Sequence, residues 1–307
     1  MEETVKVSKR LHHKKADHPY AEFYWTRPIV PRFEWLDGQP ATSAGAQSAD
    51  ERRWLISDLG PTTNISKYSP LVEEPALFRN FAEVTPTEVG FQRFANDYGI
   101  LLPHQIFVLP DRQMASGVSL SRYREEHDAM KRVVCVIDAL RNKRKLLPVA
   151  KRVLEEARPA VGSNPDSFKF SEGTLRPAIR CGDFNSLRAA CTTWLELAIN
   201  TRLRAPGPVG DSVIVTMQQR ERRLVLRQVP RSLLAAMWLQ CALAAEGEHQ
   251  FRRCQPCGNW FLISPEGTGK RRQAIYCSRR CNVRACRKRN RPTQSGQVSK
   301  KKRRTRT

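Results

Sequence analysis

Residues 252–291 have the sequence RRCQPCGNWFLISPEGTGKRRQAIYCSRRCNVRACRKRNR, and this stretch decides the fold of the C-terminal part of the chain. It contains two close cysteine pairs, one with two intervening residues and one with three, and 19 residues separate the pairs. Zinc prefers four tetrahedral ligands, and thiolates are its usual partners in structural sites. The spacing therefore predicts a single zinc ion held by Cys254, Cys257, Cys277 and Cys281.

The residues between and after the pairs predict the local structure around this ion. Gly258 permits the positive backbone dihedral that a tight metal-binding turn needs. Trp260–Ile263 is expected to form a strand, Gln273–Tyr276 a second strand that returns beside it, and Ser278 to begin a helix. This order is typical of a treble-clef-like zinc finger. Four protein ligands leave no position for water, so the predicted zinc is structural.

Two further residues are weighed as ligands and set aside. Cys286 follows Cys281 by five residues, which at about 100° per residue puts it roughly 140° away on the helix. A small buried residue or a spare thiol is the preferred interpretation of Cys286. His249 lies near the first pair in sequence and is not expected to bind the ion.

The net charge of +23 is concentrated in the same region. Residues 251–307 carry 18 lysines and arginines and one acid, Glu266, and so account for +17 of it. Such a field attracts polyanions, of which nucleic acid is the commonest. An anionic membrane is the second interpretation, and a basic tail kept for solubility is the third.

The predicted C-terminal helix carries this charge in an ordered pattern. Arg280, Arg284, Arg287 and Arg291 recur at helical spacing and form one stripe within about 60° of the circumference. A solvated face is the alternative explanation, but adjacent like charges destabilise a helix unless a partner neutralises them. The expected nucleic-acid contacts are Arg279, Arg280, Arg284, Arg287, Lys288 and Arg291.

The whole chain is expected to be mainly α-helical with a small β-hairpin, ending in the finger. The expected parts are an irregular N-terminal arm (residues 1–70), a mostly helical domain (71–248), the zinc finger (249–291) and a basic disordered tail (292–307). Within the helical domain we expect three helices and a hairpin. These are a helix capped by Thr85 and ended by Gly99, a long helix over Leu120–Leu146, a helix capped by Asp183, and a hairpin of Val213–Val215 with Leu224–Leu226. A last helix after Pro230 should end at Gly247.

The sequence also bears on compartment and catalysis. It has no secretory signal at its start and no run of about 18 apolar residues, so a cytoplasmic protein that does not enter the membrane is expected. The nine cysteines would then be reduced thiols or metal ligands. It lacks a zinc-protease HExxH motif and a nucleophile elbow, and Gly267–Lys270 does not complete a phosphate-binding loop. The prediction is that the protein is not an enzyme, with a catalytic role for the helical domain as the alternative.

The second cysteine pair lies in a pattern that resembles a known family. Tyr276-Cys277-Ser278-x-x-Cys281-x-x-Arg284 is similar to the C-terminal finger of the bacterial CGNR zinc-finger proteins. Members of that family join the finger to an N-terminal helical domain called ABATE and are described as transcriptional regulators. FANDYGILL at 94–102 resembles the helical part more weakly.

The resemblance has departures, and it leaves several hypotheses open. The name-giving Cys-Gly-Asn-Arg is here Cys281-Asn282-Val283-Arg284, and the first cysteine pair is more tightly spaced than in the family, which leaves the subfamily and any DNA preference open. The resemblance implies a bacterial DNA-binding regulator. RNA binding and a protein-interaction role for the finger are the alternatives. The helical domain would bind a ligand, a partner protein or a second copy of the chain.

Overall fold

The computed structural model describes most of the chain, in two compact units. The described residues are 23–29, 33–40, 48–57, 65–102, 105–108, 110–111, 114–156, 165–204, 213–220, 223–247, 250–263, 270 and 273–289. Unit 1 ends at His249 and unit 2 begins at Gln250. The described residues are mostly helical, with small antiparallel sheets and a C-terminal cluster of four cysteines.

Unit 1 contains nine strands and nine helices among its described residues. The strands are β1 (Trp25–Pro28), β2 (Phe33–Asp37), β3 (Gln39–Pro40), β4 (Arg53–Ser57), β5 (Ile65–Tyr68), β6 (Gln105–Val108), β7 (Met114–Ser119), β8 (Val213–Arg220) and β9 (Arg223–Pro230). The helices are α1 (Ala49–Arg52), α2 (Pro70–Glu73), α3 (Leu77–Ala82), α4 (Glu88–Tyr98), α5 (Leu120–Leu140), α6 (Lys143–Glu156), α7 (Pro165–Cys181), α8 (Phe184–Arg204) and α9 (Leu233–Glu246).

The strands of unit 1 form three antiparallel sheets. Five of them make one sheet in the order β2-β4-β7-β6-β3, while β1 pairs with β5 and β8 with β9. Strand β4 places alternate side chains on opposite faces, and Trp54, Leu55 and Ile56 are all buried. The central part of this sheet is therefore covered on both sides.

The helical core of unit 1 is organised around α5, which leaves β7 directly. The Ser119 side chain caps α5 by accepting a hydrogen bond from the Arg122 N–H at 3.2 Å. Tyr123, Met130 and Ile137 are each seven residues apart, so they lie on one face of the helix, and all three are buried. Helices α3, α8 and α9 pack against α5.

A fully buried carboxylate connects three of these helices. The Glu126 side chain has no exposed surface and accepts hydrogen bonds from Arg202 Nη1 at 2.7 Å and from Trp238 Nε1 at 3.1 Å. Arg122 Nη2 lies 3.1 Å from the same carboxylate. Burial raises the pKa of Glu126, while Arg202 and Arg122 act to lower it. The carboxylate thus depends on its two guanidinium partners to stay ionised.

Replacing Arg202 with Met should destabilise unit 1 by roughly 2–3 kcal/mol at neutral pH, because a buried carboxylate loses its nearest cation. The folded-state pKa of Glu126 is already raised and should rise further in the variant. A group with a raised pKa costs stability above that pKa, so the deficit should shrink as pH falls and Glu126 takes up a proton. Urea unfolding at several pH values measures this. The control is the double variant Glu126→Gln/Arg202→Met, compared with Glu126→Gln alone. The difference between their free energies of unfolding should not vary with pH, and a pH-dependent difference would show that Glu126 is not the titrating group.

The prediction of an irregular arm over residues 1–70 is wrong for much of its described part. Strands β1 to β5 all begin within this range, and β2 and β4 pair directly, with Trp35 opposite Leu55. Strands β3 and β4 also pair with β6 and β7, which lie beyond residue 100, and proline interrupts the sequence nearby. Pairing over such distances leaves little local signal. Phe23, Phe33 and Trp35 are buried.

Two helix boundaries in unit 1 also differ from prediction. The expected helix over Leu120–Leu146 is divided after Leu140, because Asn142 begins α6 by accepting a hydrogen bond from the Arg144 N–H at 3.2 Å. The N-cap of α4 is Thr87, not Thr85, and its side chain accepts from the Gly90 N–H. This puts Glu88 at the first helical position, where its carboxylate binds Arg53 at 3.1 Å.

Several local predictions in unit 1 are confirmed. Asp183 caps α8 through the Ser186 N–H at 2.8 Å. Gly99 and Gly247 end α4 and α9 with φ of 96° and 98°. The hairpin of β8 and β9 is present and longer than predicted, with Val213 opposite Pro230. Residues 221–222 of the turn lie outside the described residues.

Candidate metal centre

The first cysteine pair lies in the turn of a β-hairpin in unit 2. Strands β10 (Gln250–Arg253) and β11 (Trp260–Ile263) pair antiparallel, with Arg253 opposite Trp260. Cys254 follows β10 directly, and its N–H donates to the Asn259 carbonyl at 2.9 Å. The Gly258 N–H donates back to the Cys254 carbonyl at 2.8 Å. These two bonds tighten the turn so that both thiols of the pair lie on one side of the hairpin.

Gly258 is required in this turn for a conformational reason. Its φ is 77°, in the left-handed region that residues with a Cβ rarely adopt, as the sequence predicted. The Gly258 carbonyl also accepts a hydrogen bond from Arg253 Nε at 2.9 Å.

The second cysteine pair is positioned by the start of α10 (Arg279–Arg289). Ser278 caps this helix, since its hydroxyl accepts from the Cys281 N–H at 3.2 Å. The Cys277 N–H points toward Cys254 Sγ at 3.4 Å. Helix N-termini favour thiolates because their free N–H groups carry partial positive charge. The cap thus holds Cys277 and Cys281 toward the hairpin.

The four sulfur atoms lie at the separations that a tetrahedral ion requires. All four Sγ atoms are within 4.8 Å of one another. Cys277 Sγ is 3.6 Å from Cys257 Sγ and 3.6 Å from Cys281 Sγ. A tetrahedral zinc with bonds of about 2.3 Å holds its sulfurs roughly 3.8 Å apart. The Cys254, Cys257, Cys277 and Cys281 side chains are therefore close enough to hold one metal ion.

The thiols of this cluster do not have equivalent surroundings. Burial raises the pKa of Cys257 and of Cys277. The hydrogen bond with the Ser278 hydroxyl lowers the pKa of Cys281. Crowded thiolates repel one another unless a cation lies between them, and a bound metal lowers the pKa of its thiol ligands. The arrangement favours the thiolate form when a cation is present.

A small apolar cluster supports the cysteines. Cys254 and Cys281 are buried with Phe261 and Ile263, and Tyr276 packs against them. Arg252 Nη1 donates to the Ala274 carbonyl at 2.9 Å and fastens the segment that leads to Cys277. Because this cluster is small, a metal would add substantially to the stability of unit 2.

The predicted second strand at Gln273–Tyr276 is wrong. Strand β11 pairs with the residues before the first cysteine pair, because the turn from Cys254 to Asn259 is short enough to bring those two segments together. The Ala274 carbonyl is taken by the Arg252 side chain and not by a neighbouring strand. The predicted strand Trp260–Ile263 and the helix after Ser278 are confirmed.

Helix α10 exposes five of the six predicted basic contacts, all but Arg291, and one further cation, Arg289. Arg279, Arg280, Arg284, Arg287, Lys288 and Arg289 are all exposed. The only acidic residue of unit 2, Glu266, lies outside the described residues, so the described part of the unit contains no carboxylate side chain. Six cations within 11 helical residues make this a strongly positive surface.

The remaining residues named from the sequence fall outside this cluster. Cys286 is not in the four-cysteine group and contacts Asn282 and Arg289, at 3.8 Å and 3.5 Å from its sulfur. His249, Arg291 and the tail 292–307 lie outside the described residues.

Unit 1 has an open groove between α6 and α7. Its volume is about 290 Å³, and it is lined by Lys151, Leu154, Glu155, Arg176, Ile179 and Arg180. A ligand, a partner protein or a second copy of the chain for this unit stays a prediction. Within the described parts of the chain, no helix combines the length and apolar character needed to cross a membrane.

Comparison with known protein families, with curated proteins and with solved structures finds no match. The resemblance to the CGNR family therefore stays a prediction, and the functional argument depends on the chemistry of unit 2.

Proposed function

We propose that this protein binds nucleic acid through a zinc-stabilised finger, and that its target is duplex DNA in the role of a bacterial transcriptional regulator. One observation carries the proposal: a four-cysteine cluster supports a helix that exposes six cations and faces no carboxylate within the described part of unit 2.

Zinc is the ion that best suits this cluster. Four thiolates are the commonest donor set of structural zinc sites, and borderline-soft Zn²⁺ prefers them to the oxygen ligands of Ca²⁺ or Mg²⁺. Cys254, Cys257, Cys277 and Cys281 would hold it. The ion would supply fixed geometry and positive charge, and no catalysis is proposed, because four protein ligands fill the coordination shell. The hairpin turn followed by a ligand-bearing helix supports a treble-clef-like finger.

The charge of α10 supports a phosphate partner. Arginine binds phosphate through two parallel N–H donors, and release of condensed counterions drives such binding. Arg280, Arg284 and Arg287 are exposed on the same helix that carries Cys281. A metal that fixes the start of α10 would therefore also fix the geometry of these arginines.

Binding by full-length, metal-loaded protein to a 30-base-pair random duplex tests the proposal. We expect tight, salt-dependent binding that a chelator abolishes and that excess re-added Zn²⁺ restores. Competition with double-stranded RNA of equal length at equal salt should show a preference for DNA. If RNA competes as well as DNA or better, RNA and not DNA is the target. If the protein binds neither, the proposal of nucleic-acid binding is wrong.

A further inference from the structure

Helix α10 is attached to unit 2 mainly through Cys281. Cys281 is its only buried residue, while Ala285 and Cys286 are half-buried. The other eight residues are exposed. A helix held in this way presents most of its circumference to solvent, which is unusual for a helix that stabilises its domain only through packing.

The side of α10 opposite this attachment has a definite composition. At about 100° per residue, Val283 lies roughly 160° from Cys281 around the helix axis. Its side chain is 41% exposed. Arg279 and Arg287 are four residues before and after Val283, so each lies within about 40° of it. The outermost row of the helix is therefore an apolar side chain between two arginines, about 12 Å long.

Phosphate binding alone does not account for Val283. Single exposed apolar residues are common on protein surfaces. The feature here is position, since Val283 lies on the side of the helix opposite Cys281 and between two arginines. A surface made only for phosphate contact would favour a further cation or a polar residue there.

We infer that α10 enters the major groove of B-form DNA with the row Arg279–Val283–Arg287 toward the base edges, an inference that rests on the proposed function. Val283 contacts the C5-methyl group of a thymine, and Arg279 and Arg287 reach the O6 and N7 acceptors of guanine. Arg280 and Arg284, turned about 60° to 100° from Val283, face one phosphate wall.

The dimensions of the groove support this orientation. The major groove of B-DNA is about 12 Å wide and admits an α-helix, and the thymine methyl group is accessible only there. The major groove of A-form RNA is too narrow for side-chain reading and contains no thymine. An apolar residue on the outer side of a basic helix therefore fits DNA and not double-stranded RNA.

Replacing thymine with uracil, which removes only the methyl group, tests the inference. Full-length metal-loaded protein first selects its preferred duplex from a random library, and each thymine of that duplex is then replaced singly. We expect one replacement to weaken binding about fourfold, the effect of losing one buried methyl group. Val283→Ala should bind the thymine and uracil duplexes equally.

A matched control variant is Ile275→Ala, which removes another exposed apolar side chain of unit 2, 42% exposed and outside α10. It should keep the wild-type discrimination between thymine and uracil. Two results would overturn base recognition by α10 but leave the proposed function intact. One is salt-dependent binding without any sequence preference. The other is a Val283→Ala variant that still binds the thymine duplex more tightly than the uracil duplex. Failure of the wild-type protein to bind duplex DNA at low salt would instead remove the proposed function itself.

Discussion

Removing the metal should unfold unit 2 and leave unit 1 folded. The apolar cluster of unit 2 consists of few residues, two of which are the ligands Cys254 and Cys281. Structural zinc contributes about 10–16 kcal/mol of binding free energy to such small modules, far more than this cluster could supply. Hydrogen exchange on the full chain, with and without chelator, should show loss of amide protection over 250–289 only.

Variants of single cysteines make this expectation specific. Cys277→Ser should lower the zinc content well below one ion per chain and reproduce the effect of the chelator. Cys286→Ser is the matched control, because Cys286 lies on the same helix but outside the four-cysteine group. It should keep one zinc and normal protection. Equal protection in chelated and untreated protein, with no metal in either, would refute the metal centre.

Replacing Arg280, Arg284 and Arg287 together with Ala should weaken DNA binding by roughly two to three orders of magnitude at 0.1 M salt. Each neutralised phosphate contributes about 0.9 to the slope of log affinity against log salt concentration. If six to eight phosphates are contacted, the wild-type slope should be roughly −5 to −7. The variant slope should be shallower by about 1.8 if Arg287 contacts a base, and by about 2.7 if it contacts a phosphate. Fluorescence anisotropy across a salt series measures both values.

The control for this variant removes the same charge elsewhere. Arg144, Lys145 and Lys151 are exposed on α6, and replacing all three with Ala lowers the net charge equally. If binding depends on direct contacts of α10 and not on the overall charge of the protein, this α6 variant should keep nearly the wild-type DNA affinity and salt slope. Zinc content should stay at one ion per chain in both variants. Equal losses in the two variants would mean that α10 has no special part in binding.

The elements that sequence analysis predicts well depend on nearby residues. The helix start at Ser278, the positive φ of Gly258 and the Asp183 cap of α8 each involve partners within five residues. Local hydrogen bonds and backbone sterics decide such features, so a short segment of sequence contains the information. The hairpin of β8 and β9 belongs to the same class, since its two strands are consecutive in the chain.

The elements that were missed depend on distant partners. Strand β4 pairs with β7 more than 60 residues later, with Leu55 opposite Val118. The sequence predicts Gln273–Tyr276 as the partner of β11, but the partner is β10. Strand β10 precedes the cysteine turn and has no apolar alternation that would mark it as a strand. Residues 1–70 give an irregular pattern because proline lies near the first strands and because no two consecutive described strands of this segment pair with each other.

The amino-acid sequence by itself determined which four cysteines could hold a metal ion and where the positive charge is concentrated. The donor chemistry of a thiol and the charge of an arginine are properties of the residue, and their spacing is given by the sequence. Only the tertiary structure decided that Cys281 is the one buried residue of α10 and that Val283 remains exposed. The physical reason is that burial depends on which distant segments pack together. A helical period defines which residues share a face, but not which face the rest of the chain will cover.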